Sequence, residues 1–378
     1  MSSDPGRART RLVLERAADR LLRASVLERA LIAVASTLLA LVVGAVVVAL
    51  SGYDAIEFVA SLLYGAFGTR SNVAFTLRQS TMLILAGVAV AIAFRAGVFN
   101  IGVQGQFVVG GFATAVTVLG LAPHLPAGVG GGVALLLLGT FAGVLGGGAY
   151  AALPGLMKAY ADANEVITTI MLNFIASGVV FFVVDRFLRP EGAAAPNTER
   201  FPDYVDLPPL VFGSPSFSVL GLGVALVAVV VVAAVMARTR FGYDLVTSGH
   251  QAAAATYSGV DHRRTVVATM TFSGMVAGLT GALFVVMILG YYSDPNTYPT
   301  FGFDAIAVSL LAANNPLGVV PAGLLFGGLD AGQQYVGFTL DVPPELVDGV
   351  IGLVVLFVAT PELFRMAAMR VGLGERER

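Results

Sequence analysis

Ten apolar runs, most of them near 20 residues long, follow one another along this chain of 378 residues. They fall at about 30–50, 77–94, 101–121, 131–152, 165–184, 216–237, 266–289, 303–313, 317–330 and 346–361. Roughly 20 apolar residues in a helix reach across the hydrocarbon of a bilayer. Composition supports the same solvent: 57% of residues are hydrophobic and 12% charged, against roughly 25% charged in soluble domains. A soluble core could not hide this much apolar surface. The expected fold is an all-α polytopic membrane protein of about ten transmembrane helices. The eighth and ninth runs are short, and a single re-entrant segment around "NNPLG", Asn314 to Gly318, is the alternative there. The 45 glycines suit close helix packing in lipid.

Charge placement orients the runs. With the N-terminus inside and ten alternating helices, 17 of the 22 Lys and Arg residues fall on the inner side. Arg70, Arg78, Arg186, Arg189 and Arg200 are left outside. That is the positive-inside bias, so both termini are expected in the cytoplasm. Three segments follow. Residues 1–29 form a cytoplasmic or interfacial segment, with Leu14, Ala18, Leu21 and Leu22 on one side of a helix. Residues 30–361 form the transmembrane domain, and 362–378 a cytoplasmic tail. The first apolar run is not followed by a small-residue cleavage site. The longest outer loop, about 185–215, is rich in proline and expected to be ordered at least in part.

Several chemistries are missing. A phosphate-cradling loop of the form G-x-x-x-x-G-K-[ST] needs a lysine. The one lysine, Lys158, lies in "PGLMKAY" and does not fit it. The three histidines lack metal-protease spacing, and there is no cysteine. No paired-carboxylate or Ser/His/Asp arrangement stands out, so the chain is not expected to be an enzyme or to hold a metal.

Polar residues within spans usually face a bundle interior or a cavity. "FRAGVFNIGVQGQFVVGG" combines Gly97, Gly102 and Gly105 with Asn100, Gln104 and Gln106. A helix break there would free backbone N–H groups for a polar solute; a plain turn with close glycine packing is the alternative. In the fifth run Glu165, Thr169, Asn173 and Ser177 recur every four residues on one helix face, as interhelical glue or as the lining of a path. "LGYYSDPNTYPTFGFD" offers Tyr291 and Tyr292 to a ring-shaped solute, an external partner or the interfacial aromatic belt. Asn314 and Asn315 before Pro316 stop a helix.

One stretch does not look like membrane at all. "SGHQAAAATYSGVDHRR" runs from Ser248 to Arg264 between two spans. Thr247 or Ser248 can cap a helix start and Gly259 can end it in a left-handed conformation. The small side chains between them would seat in a groove of another protein; a surface helix resting on the headgroups is the alternative, which the lack of an apolar face argues against. This stretch resembles the coupling helix of ABC importer permeases, E-A-A-x-x-x-G, without the glutamate. It is closer to the form G-x-N-x-x-A-A-x-Y-x-G-I found in permeases for simple sugars, nucleosides and branched-chain amino acids. Gly249, Ala254, Ala255, Tyr257 and Gly259 match that form, with Gln251 for the asparagine and Val260 for the isoleucine. "AGVFNIGVQGQ" (Ala96 to Gln106), "NEVITTIMLNFIA" (Asn164 to Ala176) and "GFDAIAVSLLAANNPLGVV" (Gly302 to Val320) resemble motifs of the nucleoside and simple-sugar group. In the first, Gln104 replaces that group's glutamate.

The resemblance implies the permease subunit of an ATP-binding-cassette importer in the cell membrane, carrying a nucleoside or simple sugar by alternating access. A separate P-loop ATPase would bind ATP and Mg and grip the coupling helix, at about 248–259, through Gly249, Gln251, Ala254, Ala255, Tyr257 and Gly259. A second permease chain and an external solute-binding protein complete the expected partners; no nucleic acid is among them. Phe99, Asn100, Gln104, Gln106, Glu165, Thr169 and Asn173 are the candidate lining of the path, and Phe174 offers a second ring. The alternative function is a stand-alone, ion-coupled secondary transporter of a small polar solute.

Overall fold

Each of the ten apolar runs coincides with a helix. The computed structural model describes residues 26–214, 217–250, 257 and 259–359. The amphipathic pattern around Leu14 to Leu22, the tail 362–378, and Gln251, Ala254 and Ala255 lie outside the described residues. Among the described residues there are twelve α-helices. In chain order they are α1 Val26–Leu50, α2 Ala55–Phe67, α3 Arg70–Arg95, α4 Val103–Leu121, α5 Val129–Ala161 and α6 Glu165–Val183. The second half continues with α7 Val219–Arg238, α8 Arg240–His250, α9 His262–Leu283, α10 Phe301–Leu311, α11 Val319–Thr339 and α12 Pro344–Ala359. π-helical turns extend α6 to Leu188 and α9 to Leu289.

Length and composition support six crossings among the described residues, against the ten expected: α3, α4, α5, α6, α7 and α9 with their extensions. α10 is an apolar helix of only 11 residues. α11 has the length, but Asp330, Gln333 and Gln334 interrupt its apolar run. α12 is short and starts with Glu345 and Asp348. Two helices were not anticipated. α2 follows Asp54, whose carboxylate accepts the backbone N–H groups of Ile56 and Glu57 at 2.8 and 3.0 Å; its 13 residues are too short to cross. α8 starts at Arg240, so the wet stretch enters as a helix well before Thr247 and Ser248. Between α10 and α11 the chain turns through Ala313 and Asn314, both left-handed at φ 49° and 56°.

The chain divides into two compact units. In the smaller, residues 1–59 and 342–378, α1 and α12 pack with Gly44 against Val350. In the larger, residues 60–341, α3 is the central helix, buried without interruption from Gln79 to Ala93. α4, α5 and α9 pack through glycines: a Cβ at Gly110 would strike Gly278, and one at Gly147 would strike Gly274. Lipid gives helices no hydrophobic drive to associate, and small residues let backbones approach instead. The outer surfaces of α5, α6 and α7 present Leu137, Phe141, Ile167, Phe182, Val227 and Val230. In water that surface would aggregate; in a bilayer it is solvated.

The larger unit has two chemically different ends. At one, Arg95 closes α3, Lys158 pairs with Glu165 at 2.7 Å, and Arg263 lies over the Tyr160 ring at 5.8 Å. At the other, the proline-rich loop is ordered by cross-links to the chain after α9. Thr198 N–H donates to Tyr292 O at 2.9 Å, and Phe201 N–H to Gly290 O at 2.8 Å.

Candidate functional site

The break between α3 and α4 is real and is built from amides. α3 stops at Arg95, and Gly97 turns the chain at φ +68°. Seven residues separate α3 from α4, which begins at Val103. A helix start leaves its first N–H groups without intrahelical partners, and in lipid nothing else would satisfy them. Here Asn100 Oδ1 accepts from Gly102 N–H at 3.1 Å. Asn173 Oδ1, reaching across from α6, accepts from Gly105 N–H at 2.8 Å. Asn173 Nδ2 donates in return to Ile101 O at 2.9 Å. Asn100 and Gln106 exchange two amide bonds, each of 2.9 Å. Asn100 also donates to Ser273 Oγ at 2.8 Å, and Ser273 to Ala89 O at 2.6 Å. Gln104 bridges to the start of α10: Nε2 donates to Pro299 O at 3.0 Å and Oε1 accepts from Gly302 N–H at 2.8 Å.

The candidate path residues therefore divide. Asn100, Gln104, Gln106, Thr169 and Asn173 are buried, at 8% exposure or less, and Thr169 spends its hydroxyl on Glu165 O at 2.6 Å. Phe99 is 50% exposed, edge-on to Phe94. Glu165 is held by Lys158 near the same end. Phe174 is exposed on the outer side of α6. Tyr292 is not a free ring: it is fully buried, and its hydroxyl donates to Val108 O at 3.1 Å. With Phe107, Phe112, Phe284, Tyr298 and Phe301 it forms one aromatic cluster. Burial pushes the phenols of Tyr292 and Tyr298 well above their ordinary value.

Of the wet stretch, Gly249, Tyr257 and Gly259 are described. Gly249 presses on the backbone of Arg95, Ala96 and Gly97, so α8 touches the chain where the break begins. Tyr257 is 97% exposed. Gly259 is left-handed at φ +84°, with open space where a side chain would stand. Asp261 caps α9, accepting from Arg264 N–H at 3.1 Å.

A second polar group was missed in the sequence. Arg78 counts there with the outer arginines but stands about two turns inside α3. Its guanidinium lies 4.0 Å from the Phe75 ring centroid and attracts the Asp330 carboxylate of α11. Gln79 Nε2 donates to Asp330 as well. Asp304, in the first turn of α10, accepts from Thr300 Oγ1 at 3.1 Å and feels the Asp330 charge; it is exposed in this unit. The signal was the acid itself: the ninth apolar run stops at Asp330, whereas the helix continues to Thr339.

Comparison with known proteins agrees with this architecture. Residues 72–359 match the family described as branched-chain amino acid transport system, permease component. The guanosine ABC transporter permease protein NupP of Bacillus subtilis is 35% identical over 90% of this chain and 95% of its own length. The glucose ABC transporter permease protein TsgB13 of Haloferax volcanii is 32% identical over 90% of this chain and 89% of its own. The nucleoside ABC transporter permease protein NupB of Lactococcus lactis is 28% identical over 84% and 86%. No solved structure matches. A stand-alone secondary transporter is thereby set aside, and the chain is a multi-pass membrane protein that belongs to the branched-chain amino acid transport system permease family.

Proposed function

We propose that this permease carries nucleosides into the cell as part of an ATP-driven importer. The relation to the guanosine permease carries the assignment, being higher in identity and wider in coverage than that to the glucose permease. That second relative favours a simple sugar as the other reading. The chain has no Walker A lysine, so ATP and Mg are bound by a separate P-loop ATPase. A second permease chain and an external solute-binding protein complete the complex.

The end rich in Arg95, Lys158, Arg263 and Arg264 is cytoplasmic, as the positive-inside rule requires. Ten crossings place both termini there. They are the six long helices with α1, α10, α11 and α12, within a permease domain of residues 30–361 flanked by 1–29 and 362–378. The ATPase grips a coupling helix at about 248–259 through Gly249, Gln251, Ala254, Ala255, Tyr257 and Gly259. The exposure of Tyr257 and the open space at Gly259 support this surface. A push on it reaches Arg95–Gly97 directly through Gly249. Phe99 and Glu165 stand at the inner mouth of the path. Asn100, Gln104, Gln106, Thr169 and Asn173 hold the break beside it. Charges at membrane depth avoid lipid, so Arg78, Asp304 and Asp330 turn toward a watered path shared with the second permease.

The test starts with gentle purification and identification of co-purifying chains by mass spectrometry, followed by uptake in vesicles holding the assembled complex. A P-loop ATPase in near-equal amount and ATP-dependent uptake of labelled guanosine, outcompeted by nucleosides and not by glucose, are expected. Glucose uptake in its place would move the assignment to sugars. Gly259→Leu tests the coupling surface. Among the described residues, and chain neighbours aside, nothing lies within 4 Å of a Cβ added there. Left-handed strain of about 1–2 kcal/mol is tolerable. Uptake should fall more than about tenfold with the protein still inserted; unchanged uptake would remove the ATPase from this surface.

A further inference from the structure

Two helix starts meet inside the larger unit. A Cβ at Gly302 would collide with the backbone N and Cα of Gln104, so the first turns of α10 and α4 are in backbone contact. Both present N–H groups that have no intrahelical partner and the positive end of a helix dipole, an unfavourable pairing unless acceptors stand between them. Gln104 supplies one, taking the Gly302 N–H at 2.8 Å. The same amide donates to Pro299 O at 3.0 Å. Pro299 offers only a carbonyl and Gly302 only an N–H at these points, so the amide has one possible orientation. One helical turn further along α4, Val108 O receives the Tyr292 hydroxyl at 3.1 Å. The segment 290–302 is thus fastened to α4 at two heights, and only the Gln104 fastening needs a group that both donates and accepts.

We propose that Gln104 is a positioning residue whose neutral amide locks the starts of α4 and α10 into one moving body, without a proton being taken up or released at that position. This rests on the transport role given above. A leucine there can make neither bond. A carboxylate can accept from Gly302 but turns a second oxygen on the Pro299 carbonyl. A glutamic acid that keeps its proton can do both. Gln104→Glu therefore converts a fixed clamp into one that holds only while protonated. The charged and titratable groups on the elements packed against α4 are Arg70, Arg78 and Arg95 of α3, Tyr150, Lys158 and Tyr160 of α5, Glu165 of α6, His262, Arg263 and Arg264 of α9, and Tyr291, Tyr292, Asp294, Tyr298 and Asp304 of the segment that carries Pro299 and α10. All are kept in the variant, so wild type at each pH is the reference.

Guanosine uptake by the complete importer in vesicles is measured from about pH 5.5 to about pH 8.5 for wild type, Gln104→Glu and Gln104→Leu, normalised to inserted protein. Thermal melting of each purified chain over the same range gives a readout that needs no substrate. Relative to wild type, Gln104→Glu should lose about tenfold in uptake, and lose melting temperature, as pH rises. Gln104→Leu should be about tenfold down at every pH. If Gln104→Leu does not accumulate, the slope within Gln104→Glu still decides. A Gln104→Glu profile parallel to wild type in both measurements overturns the proposal. Wild-type vesicles that take up no guanosine while the Gln104→Glu melting slope persists would overturn the substrate assignment and leave the clamp standing.

Discussion

The two polar groups of the larger unit are built on opposite plans. Around Asn100, Gln106, Asn173 and Ser273 every group is neutral, buried and bonded to another group of the protein. Around Arg78, Asp304 and Asp330 the groups are charged, only partly buried and open on one side in the case of Asp304. The first plan removes polarity from the membrane by making it self-sufficient. The second keeps hydrogen-bonding capacity at a depth where lipid cannot use it. Amides at a helix break are thus compatible with a structural frame, and the separate charged group with recognition of a solute.

The largest effect should come from breaking the self-sufficient group. Asn100→Leu leaves Gly102 N–H, the Gln106 amide and the Ser273 hydroxyl short of partners in a dry site. Each buried group left unsatisfied costs about 1–3 kcal/mol. A loss above about 3 kcal/mol is expected, read as lower melting temperature and faster proteolysis in detergent. Uptake per folded molecule should change much less. A variant as stable as wild type but dead in transport would put Asn100 in the path and not in its frame.

Asp330→Asn should show the reverse pattern. The asparagine still accepts from Gln79 but no longer attracts Arg78. Uptake is expected to fall about tenfold, with a smaller loss of melting temperature than Asn100→Leu. Combining it with Arg78→Gln separates the two explanations of that loss. If the charges serve only each other, the double variant regains uptake, because neither is left uncompensated. If they address the solute, it stays inactive.

The sequence carried the helices and the break, and carried less of what each polar residue does. Apolar runs are local, so their periodicity and length suffice to locate helices. The glycines and amides of "AGVFNIGVQGQ" marked the break for the same reason. Whether Asn100 offers its amide to a solute or to Gln106 and Ser273 depends on partners as far as 173 positions away. Arg78 was misread because a charge near the edge of an apolar run is indistinguishable from one in a loop until its partner is known. That partner, Asp330, lies on another helix, and its charge had itself cut short the run that contains it. α8 is hard to read locally because "RFGYDLVT" is not apolar enough for a span and its start is not at Thr247 or Ser248; the cap is Thr239, which accepts the Gly242 N–H at 3.1 Å.

The smallest change tests how far the charged group extends. Asp304 sits in the first turn of α10, where a carboxylate favours the helix dipole by about 0.3–1 kcal/mol. It also stands within range of the like charge on Asp330, which opposes that gain. Asparagine keeps an oxygen for Thr300 Oγ1 and relieves the repulsion. Asp304→Asn should therefore melt within about 0.5 kcal/mol of wild type, so any change in transport belongs to the solute and not to the fold. About a threefold rise in KM for nucleosides such as guanosine, at unchanged maximal rate, is expected if the carboxylate touches the solute on entry. An equal fall in rate at unchanged KM would place Asp304 in the moving parts of the path. No change in either would confine the charged group to Arg78 and Asp330, and the contrast with the amide frame would then rest on those two residues alone.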